Sequence, residues 1–105
     1  MNMKGSLPLL ILVVLADGPC HGYRIAGLIK ERSAGALDFA EGTLYPALHT
    51  LEAQGLIAGF EVEENGRMRR YYRLTRSGTD GIAQGRQEWQ SYVDSVNRVL
   101  GEAAS

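Results

Sequence analysis

Five arginines within ten positions define the chemistry to which this chain is best suited. A guanidinium stays charged and donates paired hydrogen bonds to phosphate or carboxylate oxygens, so an arginine cluster favours anion binding. The net charge of the whole chain is only −1, so any attraction to phosphates is local and sensitive to salt. The alternative is a solvated hairpin whose arginines pair with the glutamates at 61, 63 and 64. The clustered arginines are Arg67, Arg69, Arg70, Arg73 and Arg76.

Residues suited to bond-breaking chemistry are sparse. The two histidines, His21 and His49, stand 28 positions apart and lack the Cys/His spacing of a metal site. There is no glycine-rich phosphate loop and no serine elbow. The single cysteine, Cys20, excludes an intramolecular disulfide and suits a reducing cytoplasm; we interpret it as a packed residue, with a redox-sensing thiol as the alternative. We therefore predict a cytoplasmic protein that is not an enzyme and needs no metal and no cofactor.

Four helices are predicted from hydrophobic periodicity. In the third, Leu44, Leu48 and Leu51 share one face, and polar side chains occupy the others. Pro46 is tolerated only in the first turn or two, which places the start of this helix close to Thr43. The predicted helices cover residues 7–15, 21–32, 41 or 43 to 54, and 75 to about 100.

The apolar segment at residues 7–16 has two interpretations. It follows one lysine and resembles a signal peptide, which would make the mature protein a secreted one. It is too short to cross a bilayer, which needs about 20 apolar residues. We favour a central core helix, because a helix that is apolar all round must be buried and the following residues make a poor cleavage site.

A β-hairpin is predicted after the third helix. Residues 56–63 and 69–74 have strand character, and Asn65-Gly66 between them is the strongest short hairpin signal. Because side chains alternate along a strand, Arg67 and Arg69 share one face and Arg70 lies on the other.

The fourth helix carries an apolar stripe wider than a lone surface helix needs. A second subunit is the natural cover, so we predict a homodimer interface on this helix. Trp89 belongs either to the core of that interface or to the wall of an effector pocket between subunits, where a flat aromatic ligand could stack. The stripe consists of Trp89, Tyr92, Val93, Val96 and Leu100.

Together these elements predict a mainly α fold with a small β-hairpin: a winged helix-turn-helix at residues 1–75 and a C-terminal dimerisation helix at residues 76–105. In this architecture the third helix enters the major groove of double-stranded DNA, the second crosses the backbone and the hairpin forms a wing. Core packing explains Tyr23 and Tyr45 equally well, and simple exposure is the alternative for His49. The predicted DNA contacts are Tyr23, Arg24, Thr43, Tyr45, Pro46, His49, Thr50, Arg67, Arg69 and Arg70.

Several blocks of the sequence resemble the PadR-like transcriptional regulators. They are LADGPCHGY at 15–23, EGTLYPAL at 41–48 with LE at 51–52, GLI at 55–57, and RRYYRLT at 69–75 with Gly78. The resemblance covers most of residues 7–100. It implies a homodimeric, cytoplasmic repressor that binds palindromic promoter DNA and releases it when a small molecule binds.

The short C-terminus resembles the compact subfamily of these regulators. In some of its members a tryptophan on the last helix lines a pore that takes flat hydrophobic drugs, and Trp89 stands where such a residue would be. Met68 occupies a wing position where the family often has proline. The alternative function is a small-molecule-binding or protein–protein interaction module without DNA binding; neither function involves a membrane.

Overall fold

The computed structural model describes residues 5–102. The predicted parts, residues 1–75 and 76–105, therefore extend beyond the described residues at 1–4 and at 103–105. The predicted mainly α class is confirmed, and the β part is a three-stranded antiparallel sheet rather than a lone hairpin. The elements are α1 (Leu7–Leu15), β1 (Cys20–His21), α2 (Gly22–Arg32), α3 (Glu41–Ala53), β2 (Ile57–Glu64), β3 (Arg67–Leu74) and α4 (Arg76–Leu100).

Helix α1 lies at the centre of the hydrophobic core, as the core interpretation predicts. Ile11 and Leu12 are completely buried and pack with residues of α2, α3 and the sheet. Burying an apolar side chain of this size contributes about 1.5–3 kcal/mol, so α1 is the element on which the others assemble. No helix within residues 5–102 is long and apolar enough to cross a membrane. The core residues outside α1 are Ile25, Ile29, Leu44, Leu48, Leu51, Ile57 and Tyr72.

Strand β1 was not predicted from the sequence. Its two residues pair with β3, with Cys20 opposite Tyr72 and His21 opposite Tyr71. A two-residue strand is too short to show the alternation of side chains that identifies a strand in a sequence. Its pairing depends on the edge of β3 beside which the chain passes in the folded protein. The strand ties the beginning of α2 to the wing, and the sheet order is β1-β3-β2.

The hairpin turn has the predicted sequence and position. Asn65 and Gly66 both have positive φ, 51° and 76°, as a two-residue type I′ turn requires. Glu64 pairs directly with Arg67, so both strands run up to the turn and are slightly longer at that end than predicted.

Helix α3 begins at Glu41, the earlier of the two predicted starts, although Pro46 favoured the one near Thr43. The backbone N–H groups of Thr43 and Leu44 both donate to the carbonyl of Ala40. Pro46 is therefore the sixth residue of the helix and cannot donate to the carbonyl of Gly42. Gly42 and Pro46 are both exposed, so water can satisfy that carbonyl and the helix continues through the proline.

Helix α4 starts with a close approach to the end of α3. The hydroxyl of Thr75 accepts from the Gly78 backbone N–H and donates to the carbonyls of Gly55 and Leu56. A Cβ on Gly78 would lie 2.0 Å from the Leu56 carbonyl oxygen, so only glycine fits there. The described chain measures 56 × 29 × 22 Å, and the length of α4 accounts for its elongation.

Candidate nucleic-acid interface

The outer face of α3 is open to solvent. Thr43, Pro46, His49 and Thr50 are all exposed, while Leu44, Leu48 and Leu51 anchor the opposite face in the core. Because the residues of each face recur at helical spacing, α3 presents one continuous polar surface on a fixed support. An α-helix exposed in this way has the dimensions that the major groove admits.

The two tyrosines beside this surface differ in exposure. Tyr23 is 74% exposed, so packing against α3 is not its main environment. Tyr45 is half-buried, and its ring covers the start of α2: a Cβ on Gly22 would lie 2.9 Å from the Tyr45 hydroxyl oxygen. Gly22 thus allows α2 and α3 to approach closely, and Tyr45 combines a packing role with access to the surface.

The N-terminus of α2 is capped by a histidine. The backbone N–H of Arg24 donates to Nδ1 of His21 over 3.1 Å, and the Arg24 side chain is exposed. The His21 ring packs edge-on against Tyr71 of β3, with centroids 5.5 Å apart. Sequence reasoning gave His21 no role, although its place before α2 is a capping position.

Arg69 joins the wing to the start of α2. Its Nη1 lies 2.8 Å from Nε2 of His21, and its Nε lies 3.8 Å from the Glu64 carboxylate. Glu64 also accepts a hydrogen bond from the Tyr71 hydroxyl. The ion pair with Glu64 is loose and half-exposed, so Glu64 holds Arg69 weakly, and the contact with His21 is the shorter of the two.

Arg70 has partners within the protein. Its guanidinium bonds Glu52 of α3 over 2.6 Å and Glu61 of β2 over 3.3 Å. The hydrogen bond and the charge of Glu52, with a further hydrogen bond to Glu61, raise the pKa of Arg70 above its ordinary value. The guanidinium lies over Gly59, where a Cβ would come within 2.5 Å of it. Arg70 therefore braces the hairpin against α3.

Arg67 is exposed next to the turn and makes no ion pair with any residue in the range 5–102. It lies on the same strand face as Arg69, as the alternation predicts. Met68 between them is 63% exposed. The tip of the wing therefore presents a free cation and a thioether to whatever lies beside it.

A shallow cavity of about 200 Å³ marks where α2, α3 and the wing meet. Its lining includes four predicted contact residues from all three elements, Tyr23, Tyr45, Arg69 and Arg70, together with His21 and Gly22. A second cavity, of about 300 Å³, lies between α2 and α3 and shares both tyrosines. The structure thus brings four of the ten predicted contacts together where the three elements meet.

The predicted apolar stripe of α4 lies away from this region. Trp89 is 39% exposed, Tyr92 62% and Leu100 66%, and the Trp89 and Tyr92 rings contact each other with centroids 5.9 Å apart. Val96 is also exposed, whereas Val93 is half-buried.

Cys20 is half-buried at the junction of β1 and α2. Burial raises the pKa of its thiol, although the charges of Arg24 and Arg32 act in the opposite direction. A raised thiol pKa lowers the fraction of reactive thiolate, which favours the packing interpretation of Cys20.

Comparison with known proteins identifies the family. The model of the transcriptional regulator PadR-like family matches residues 11–84, a span that includes α2, α3, the sheet and the start of α4. The chain belongs to the PadR-like family. All the sequence blocks that resemble this family lie within the matched span.

Individual PadR-like and related proteins support the assignment over nearly the whole chain. A transcriptional regulator of Mycobacterium tuberculosis is 38% identical over 93 residues, which are 89% of this chain and 84% of that protein. The structure of a transcriptional regulator from Clostridium thermocellum superimposes with a TM-score of 0.83 at 32% identity, covering 90% of this chain and 93% of that one.

One similar PadR structure contains DNA. The Bacillus subtilis PadR was solved in complex with operator DNA; it is 26% identical to this chain with a TM-score of 0.70. The match covers 76% of this chain and 46% of the Bacillus subtilis chain.

Proposed function

We propose that this PadR-like protein is a DNA-binding transcriptional regulator, and that it represses its target by binding palindromic promoter DNA as a homodimer. The observation that carries the proposal is the exposed polar face of α3 beside a wing whose Arg67 makes no ion pair within residues 5–102 and whose Arg69 pairs loosely with Glu64. The operator complex of the similar Bacillus subtilis protein supports it.

The α3 face supplies base contacts in this proposal. Thr43, His49 and Thr50 carry the hydrogen-bonding groups on the outer surface, and Pro46 adds an apolar contact among them. Tyr23, Arg24, Arg67 and Arg69 contact phosphates, which fix the position of the helix in the groove without selecting a sequence. Tyr45 contacts DNA through its hydroxyl edge. We assign Arg70 to positioning the wing, because both of its acidic partners belong to the same chain.

The apolar stripe of α4 supplies the dimer contact. We assign residues 76–105 to dimerisation and residues 1–75 to DNA binding. Two-fold symmetry then presents two α3 helices to successive major grooves, about 34 Å apart. Trp89 and Tyr92 are exposed aromatic residues suited to anchoring such an interface.

A flat aromatic or phenolic effector fits the same stripe. Trp89 and Tyr92 form an exposed aromatic pair on which a planar ligand can stack. A ligand that binds between the two α4 helices changes the separation of the two α3 helices, and so shifts the dimer toward a state that does not bind DNA.

A salt titration of DNA binding tests the proposed function. Fluorescence anisotropy of labelled promoter fragments would compare the wild type, the Arg67→Ala/Arg69→Ala variant and the control Arg32→Gln. Arg32 lies at the far end of α2, where it pairs with Asp17. We expect the slope of log affinity against log salt to fall by about two per protomer in the wing variant, one for each phosphate contact.

The control should keep the wild-type slope. A wing variant with an unchanged slope would contradict the role of the wing. If the wild-type protein bound no DNA but bound an apolar partner with an affinity that did not change with salt, the alternative function, an interaction module without DNA binding, would be favoured instead.

A further inference from the structure

Both ring nitrogens of His21 face hydrogen-bond donors. Nδ1 lies 3.1 Å from the Arg24 backbone nitrogen, and Nε2 lies 2.8 Å from Nη1 of Arg69. A backbone N–H and a guanidinium can only donate, so each contact requires a lone pair on the imidazole.

A neutral imidazole has one such lone pair, and a protonated imidazole has none. When Nε2 accepts from Arg69, Nδ1 carries the proton and the α2 cap is lost. When Nδ1 caps α2, the proton on Nε2 points at the Arg69 guanidinium. Arg24 and Arg69 therefore compete for the single lone pair of His21, and a second proton on the ring leaves neither contact possible.

Burial and the neighbouring positive charges favour the neutral form of His21 in the free protein. Desolvation is the largest cause that lowers the pKa of His21 below its ordinary value of 6.5, and Arg69 and Arg24 act in the same direction. Glu64 opposes them, but its carboxylate also accepts from Tyr71. The titratable and charged groups near the ring, from α2, α3, β2 and β3, are Tyr23, Arg24, Tyr45, Glu64, Arg69, Arg70 and Tyr71.

We propose that His21 is a positioning residue that couples proton binding to DNA binding: neutral His21 holds Arg69 against the body of the protein, and protonated His21 releases Arg69 to a DNA phosphate. This inference rests on the proposed DNA-binding function. Protonation of His21 breaks its contact with Arg69 and so frees the guanidinium for a phosphate. A phosphate that holds Arg69 away from His21 removes a positive charge beside the ring and so favours protonation of His21.

Linkage fixes the direction of the pH dependence. If DNA favours the protonated ring, then the pKa of His21 is higher in the complex than in the free protein. Protons are therefore taken up on binding, and DNA affinity rises as the pH falls through the interval between the two pKa values.

The first test uses the free protein and does not depend on DNA. NMR titration of both histidines would compare the wild type with Arg69→Gln, which removes the charge and weakens the contact at Nε2. We expect the pKa of His21 to rise in the variant, while His49, which has no contact with Arg69, serves as the internal control. An unchanged pKa of His21 would overturn the coupling to Arg69.

The second test measures DNA affinity from about pH 8 to about pH 5.5, a range that includes the ordinary histidine pKa of about 6.5. We expect the wild type to bind about fivefold or more tightly at the lower pH, the lower end of usual coupling energies. His21→Asn should show no such gain, because asparagine caps α2 but does not titrate.

The variant His49→Asn is the matched control. It should keep the pH-dependent gain whatever its absolute affinity, because it leaves His21 intact. If His21 only capped α2, protonation would remove that cap and the wild type would gain no affinity at low pH. Retention of a wild-type gain in His21→Asn would likewise overturn the proposal. Absence of wild-type DNA binding at any pH would refute the proposed function, and the free-protein titration would still decide the contact with Arg69.

Discussion

At the scale of single residues, the neighbouring arginines Arg67, Arg69 and Arg70 have three different environments. Arg67 is free within the described chain, Arg69 is shared between His21 and Glu64, and Arg70 is paired with two carboxylates. Strand alternation correctly predicts that Arg70 opposes the other two. The partner Glu52 was not predictable, because it lies 18 positions away on α3 and its contact depends on how the hairpin packs.

Replacement of Arg70 should separate packing from DNA contact. We expect Arg70→Met to lower the melting temperature, because Glu52 and Glu61 lose their shared partner and face each other. Arg67→Met is the control and should leave the melting temperature unchanged, since Arg67 makes no ion pair in the described chain.

Thermal unfolding followed by circular dichroism measures this difference. The effects on DNA affinity should be reversed: Arg67→Met should lower the affinity more than Arg70→Met does. Equal melting temperatures for the two variants would show that Arg70 does not brace the wing.

At the scale of elements, the sequence predicts turns and helix caps that depend only on neighbouring residues. Asn65-Gly66 specifies its turn, and Thr75 caps α4 by accepting from the Gly78 N–H. Two features have causes outside the local sequence and were not predicted. Strand β1 exists because β3 passes beside it, and α4 lies against Leu56 because Gly78 lacks a side chain.

Two glycine substitutions test this packing. Gly78→Ala should reduce the free energy of unfolding by about 1–3 kcal/mol, because its methyl group collides with the Leu56 carbonyl. Gly27→Ala should increase it by up to about 1 kcal/mol, because Gly27 lies inside α2 with open space around it and alanine is the better helix former.

Urea unfolding of both variants at one protein concentration measures these changes. A Gly78→Ala protein as stable as the wild type would mean that α4 does not approach Leu56 as closely as the structure shows.

At the scale of the whole molecule, the interface and the apolar stripe of α4 occupy different parts of the protein. The wing and α3 carry the charged and polar groups, whereas the second half of α4 exposes Trp89, Tyr92 and Val96. Periodicity predicts this stripe because it lies on one long helix. The partner that covers it lies beyond one chain, so dimerisation and the effector stay proposals.

A charge in the apolar stripe should dissociate the dimer. We expect Val96→Glu to be monomeric, because a carboxylate buried between two helices is strongly unfavourable. The control is Gln87→Glu, which introduces the same group at an exposed position on the opposite side of α4. Analytical ultracentrifugation distinguishes the two, and a Val96→Glu dimer of wild-type stability would exclude this stripe as the interface.

The central claim is that a pair of α3 helices, each flanked by its wing, binds operator DNA. Selection of genomic fragments by the wild-type protein, with the Arg67→Ala/Arg69→Ala variant selected in parallel, tests it most directly. The account predicts that the wild type enriches a two-fold symmetric site whose half-sites are centred about 10–11 base pairs apart, one helical turn, and that the variant recovers far less of it. Equal recovery by both proteins, or fragments that share no symmetric site, would contradict it.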